Sequence, residues 1–134
     1  MTAPSLLLWP SRAHNAGTGH LARCHALAET WTAAGGSAVM QAGVLPWPWK
    51  ERFGSLGVQV VDSRSTSGFD WAVIDGYEYT IADHRKARAL AERVLVIDDH
   101  CSVGDYDADI VVDQNLGAAR TEYPPHTPAL AGPK

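Results

Sequence analysis

The chain has 134 residues, 46% of them hydrophobic and 19% charged, enough for one domain with a sizeable core. A formal net charge of −4 argues against a general nucleic-acid-binding surface, which would be basic. Two cysteines in no CxxC pair make neither a disulfide framework nor a metal site, so reduced thiols are expected.

Residues 5–9, bounded by Pro4 and Pro10, predict a short buried strand, Ser-Leu-Leu-Leu-Trp. The loop from 10 to 19 is long for a strand-to-helix turn, and such excess length is often functional. A helix starting near His20 carries Leu21, Cys24, Leu27, Ala28 and Trp31 on one stripe, and Gly35-Gly36 stops it. Residues 37–41 predict the second strand. Pro46 and Pro48 exclude a helix interior before Trp49, and a short helix is expected over 48–56, ended by Gly57. Trp47 and Trp49 are expected to pack on the core rather than form a wall.

Residues 58–61 predict the third strand, 62–68 a polar turn and 70–74 the fourth strand, which leads into Asp75-Gly76-Tyr77. A helix is expected over 80–93 with Thr80 as N-cap, its Arg85-Lys86-Arg88 cluster on a solvated face. Val94-Leu95-Val96-Ile97 is a buried strand ending in Asp98-Asp99-His100, and residues 108–112 a sixth, ending in Asp113-Gln114-Asn115. No regular signal follows among the four prolines of the C-terminal stretch. The N-terminus lacks a basic n-region, and no apolar run approaches the ~20 residues that span a bilayer, so a cytoplasmic protein without a membrane span is expected.

Strands alternating with helices imply βαβ units, and apolar strands without strict alternation imply a sheet covered on both faces. The expectation is an α/β, Rossmann-like, doubly wound parallel sheet over residues 1–134. With strand order 3-2-1-4-5-6, the switch point lies between strands one and four, and ligands bind beyond the strand ends there. Residues 17–20 and 75–77 would then face each other, with Asp98, Asp99 and Asn115 further along the rim.

Gly17-x-Gly19-x-x-Ala22 fits the dinucleotide fingerprint, but the second strand ends in Met40-Gln41-Ala42-Gly43, without the carboxylate that holds a ribose, so NAD is not expected. His14, His20, His100 and His126 lack metal-ligand spacing, so no metal is expected either. At a helix N-terminus the dipole disfavours imidazolium, which makes His20 a neutral base able to activate water or a hydroxyl; a polar capping role for His20 stands beside that. Tyr77 offers a phenol to a ligand or closes the core. Asp98 and Asp99 divide between bracing the loop and lining the rim. Gln114 and Asn115 bind a sugar or brace a loop.

Gly17-Thr18-Gly19-His20-Leu21-Ala22-Arg23-Cys24, with Leu27-Ala28 after it, resembles the G-T-G-H-x-x-R-C-x-x-L-A signature of the pseudaminic-acid pathway UDP-sugar hydrolases and related spore-coat polysaccharide proteins. Val96-Ile97-Asp98-Asp99 resembles that family's V-I-D-D, and Asp75-Gly76-Tyr77 its D-x-Y. Val112-Asp113-Gln114-Asn115, followed by Tyr123 and Leu130-x-Gly132-Pro133-Lys134, is similar to its next landmark. The pattern departs at Trp9-Pro10-Ser11, where the family usually has R-x-D.

The resemblance implies the N-terminal half of a GT-B architecture, with the second, nucleotide-binding domain outside this chain or on a partner chain. It implies hydrolysis of a UDP-activated deoxy-amino sugar at the anomeric carbon by water that His20 activates, with no cofactor. Gly17, Thr18, Gly19, Tyr77, Asp99 and Asn115 would bind the nucleotide-sugar substrate. A glycosyltransferase acceptor half, or a non-catalytic sugar- or protein-binding module, is the alternative, and self-association is left open.

Overall fold

The computed structural model describes residues 2–13, 17–62, 67–98, 105–113 and 129–131. In chain order these form β1 (Ser5–Pro10), α1 (Gly19–Ala33), β2 (Ser37–Gln41), α2 (Trp49–Ser55), β3 (Gln59–Val61), β4 (Phe69–Asp75), α3 (Ile81–Leu90), β5 (Ala91–Ile97), β6 (Ile110–Asp113) and β7 (Ala129–Ala131). The strands make one sheet in the order β3-β2-β1-β4-β5-β6-β7. Every neighbouring pair is parallel. This is the doubly wound Rossmann-like fold that the alternation of strands and helices predicts, with the chain reversing direction across the sheet between β1 and β4.

β1 is central, and its sequence shows why. Leu6 and Leu8 belong to one buried cluster, with Leu21, Cys24 and Ala28 of α1 and Phe53 of α2. Leu7 and Trp9 belong to the other, with Ile74 of β4, Ala87 of α3 and Val94 of β5. Side chains on a strand alternate between faces, so a continuous apolar run fits only a strand covered on both.

Local chemistry sets the element ends. Gly35 follows α1 with φ of 96°, a left-handed backbone that glycine tolerates best. At Gly36 a Cβ would collide with the Trp31 indole. That indole Nε1 donates to the carbonyls of Ser37 at 2.9 Å and Pro4 at 3.2 Å, tying α1 to the entries of β1 and β2. Thr80 opens α3 in a capping box: the Asp83 carboxylate accepts the Thr80 N–H at 2.9 Å.

Four expectations need correction. The helix expected over 80–93 ends at Leu90, because residues 91–93 extend β5; Ala91 pairs with Phe69 and Arg93 with Trp71. No glycine or proline marks that boundary, and the pairing demand of β4 decides it. β7 follows in a stretch read as irregular; it is three residues long, too short for periodicity to register, and rests on parallel pairing with β6. Trp47 is 83% exposed rather than packed on the core, while Trp49 does pack there, beside Phe53. The basic cluster on α3 is only partly solvated: Arg85 and Lys86 are exposed, but Arg88 binds Asp107 at 2.9 Å and Asp109 at 3.2 Å. No helix among the described residues is long and apolar enough to cross a membrane.

Candidate functional site at the switch point

Beyond the carboxyl ends of β1 and β4 lies a cleft of about 570 Å³, lined among others by Ser11, Gly17, Gly19, His20, Arg23, Asp75 and Tyr77. Register alone brings its two walls together. Pro10 pairs with Asp75, and the Ser11 N–H donates to the Asp75 carbonyl at 2.7 Å, so β1 and β4 end side by side. α1 then starts directly above them.

A single carboxylate shapes the turn after β1. Glu78 Oε2 accepts the Ser11 hydroxyl at 2.8 Å, the Arg12 N–H at 2.9 Å and the Ala13 N–H at 3.1 Å. Gly76 makes room for this arrangement, since a Cβ there would meet the Glu78 carboxylate, the Tyr79 ring and the Ser11 backbone. Tyr79 is buried, donates its hydroxyl to the Pro10 carbonyl at 2.6 Å and packs its ring on Trp9 at 5.6 Å. The stretch 9–11 therefore works as an anchor: Trp9 and Pro10 are buried, and Ser11 reaches Glu78. Arg12, the next residue, turns its guanidinium to the Asp62 carbonyl.

The floor of the cleft is an ion pair. Arg23 Nε donates to Asp75 Oδ2 at 2.8 Å and Arg23 Nη2 to Asp75 Oδ1 at 2.9 Å, a bidentate fork. Its exposure is asymmetric, with 33% of the arginine side chain accessible and 4% of the aspartate.

His20 stands three residues before Arg23 on the same face of α1, half-buried at the cleft wall. It titrates below the ordinary histidine value. Burial is the largest cause; the Arg23 charge acts in the same direction, while Asp75 and Glu78 oppose it. Burial thus favours the neutral form. His20 is not the cap of α1: Thr18 holds that position, without a side-chain capping bond.

Gly17 and Gly19 both line the cleft, and neither adopts a positive φ. Their lack of a side chain is not required by the turn itself. A Cβ on Gly19 would come to 3.4 Å from Arg23 Nη1, and one on Gly17 would meet no described atom within 4 Å. Thr18 faces a second cleft of about 600 Å³ on the other side of His20, walled by the 42–46 segment. Tyr77 is 54% exposed and lines the first cleft, whereas the core-closing tyrosine is Tyr79.

Asp98 is buried on the same sheet edge, where it accepts the Tyr106 hydroxyl at 2.5 Å, a bracing contact. Asp99 and Asn115 lie outside the described residues, as do His14, His100, Cys101, Gln114 and Tyr123. His25 packs edge-on against Phe53 at 5.3 Å and belongs to the α1–α2 contact. Cys24 is buried in the core beneath the site, and burial pushes its thiol well above the usual range, which leaves it unreactive. Among the described residues no group of three or more histidines, cysteines or carboxylates could hold a metal ion.

Composition and motif reasoning passed over Arg23, Ser11, Glu78 and Tyr79 as site residues. The three-residue interval between His20 and Arg23 was the available signal for the first. The other three act through contacts spanning 65–69 residues of sequence, which no local pattern reports. Comparison of the chain with protein families, with curated proteins and with solved structures finds no match.

Proposed function

We propose that this domain processes a nucleotide sugar, hydrolysing a UDP-activated deoxy-amino sugar at its anomeric carbon with water activated by His20. The observation that carries the proposal is the position of His20: on the first turn of α1, at the wall of the switch-point cleft, with burial favouring its neutral imidazole. A neutral imidazole accepts the proton of a water whose oxygen bonds to the anomeric carbon. The bond from that carbon to the phosphate oxygen breaks, its electron pair leaves with UDP, and the products are UDP and the free sugar.

The sugar would sit against Gly17, Gly19 and the exposed Tyr77 phenol, above the Arg23–Asp75 floor, with Thr18 turned to the second cleft. Ligand binding outside the carboxyl ends of the strands, at the point where strand order reverses, is the general habit of open α/β sheets. The likeness of residues 17–24 to the UDP-sugar hydrolase signature supports the same assignment and gives the nucleotide to a second domain or a partner chain. No cofactor enters the chemistry.

The test follows UDP release from UDP-linked 2-acetamido sugars by the intact protein and its His20→Gln variant, with calorimetric binding measured in parallel. Loss of release with binding retained is expected. Turnover unchanged in the variant overturns the role of His20, and binding without release by either protein establishes a non-catalytic sugar-binding module instead.

A further inference from the structure

We propose that the Arg23–Asp75 ion pair is the positioning device of this cleft: its opposite charges cancel beside His20, and the imidazole stays available to accept a proton. The geometry is that of a built pair. Two parallel N–H···O bonds of 2.8 and 2.9 Å fix the guanidinium plane, and the nearly inaccessible Asp75 carboxylate holds it from the end of β4. Asp75 cannot drift, because its own backbone carbonyl is bonded to Ser11 and its Cα is in register with Pro10. Arg23 and His20 occupy one face of α1, so fixing the guanidinium also fixes the charge that the imidazole meets.

Among the described residues, three charged groups bear on His20. Asp75 at the end of β4 favours the imidazolium, Arg23 on α1 itself disfavours it, and Glu78 in the loop after β4 favours it more weakly. Without Arg23 the two carboxylates would favour the imidazolium against burial alone. With the fork closed, the aspartate is neutralised at a distance of one hydrogen bond and burial governs the ring. The consequence for catalysis rests on the hydrolase proposal above, but the electrostatic device itself is read without any turnover.

The experiment is an NMR pH titration of the His20 imidazole, assigned among the six histidines by its loss in His20→Gln. In Arg23→Gln the midpoint is expected to shift upward, because a positive charge that disfavours the imidazolium is removed. In Asp75→Asn, which keeps an acceptor oxygen for Arg23, it is expected to shift downward. The double variant, neutral at both positions, is expected between the two. Opposite shifts report that both charges of the pair act on the imidazole, whereas a bridge that only ties α1 to β4 and is screened from the ring moves neither midpoint. If Arg23→Gln fails to fold, the downward shift in Asp75→Asn decides alone. A His20 midpoint that is unchanged in the folded variants, or that moves the same way in both, overturns the proposal. Shifts as expected in a protein that binds UDP-linked 2-acetamido sugars and releases no UDP would leave the device standing and remove the hydrolase assignment.

Discussion

At the scale of single residues, the site depends on groups whose partners are fixed by the backbone. Tyr79→Phe removes the hydroxyl that satisfies the Pro10 carbonyl at the buried end of β1. A loss of about 1–2 kcal/mol in urea unfolding is expected, since a carbonyl is left unpaired inside the fold. His20 gives a pH dependence with a definite sign. Its folded-state value lies below 6.5, so the neutral base persists to lower pH than in an ordinary histidine and is lost as pH falls through that lowered value. A pH–rate profile for UDP release is therefore expected to have its acid limb centred below pH 6.5; an acid limb centred above 6.5 would contradict the assignment.

At the scale of elements, α3 shows what was legible in the sequence and what was not. Its start was readable, because Thr80 and Asp83 carry a capping box in four residues; Asp83→Ala is expected to cost about 1 kcal/mol, measured by thermal or urea unfolding. Its end was not readable, because Ala91-Glu92-Arg93 has no breaker and becomes strand only through pairing with β4. The same limit hid β7.

His84, in the middle of α3, is a second case. Nothing in its neighbourhood of sequence marks it, yet it is buried, accepts the Asp107 N–H on Nδ1 at 3.2 Å and stacks on Tyr106 at 5.8 Å. Its pKa is lowered, first by burial, against the opposing pull of Asp83, Asp107 and Asp98. A histidine depressed in the fold binds its proton more readily when unfolded. Its contribution is whole above pH 6.5 and is lost as pH falls from there toward the folded value. Stability is expected to decline across that window, and His84→Asn, which keeps an acceptor but does not titrate, to show a shallower decline.

At the scale of the whole molecule, the parallel sheet and the order of its first six strands were legible because apolar strand segments alternate with helical patterns. The coming together of residues 17–20 with 75–77 followed from that order. The ion pair and the Glu78 cradle did not, being products of register rather than of spacing. β1 carries both faces of the fold, with Leu7 in one core cluster and Leu8 in the other. Leu7→Ala and Leu8→Ala are each expected to cost about 2–5 kcal/mol in chemical unfolding, as fully buried leucines do, and a cost under 1 kcal/mol at either would contradict a sheet covered on both sides.

The chemistry assigned to this fold is attack by water on the anomeric carbon, and the fate of the water oxygen tests it most directly. The intact protein is allowed to act on a UDP-linked 2-acetamido sugar in heavy-oxygen water, and the products are weighed by mass spectrometry as soon as they form. Heavy oxygen in the free sugar and UDP of natural mass is the expected result. UDP carrying the label would place the attack at phosphorus and contradict the role given to His20.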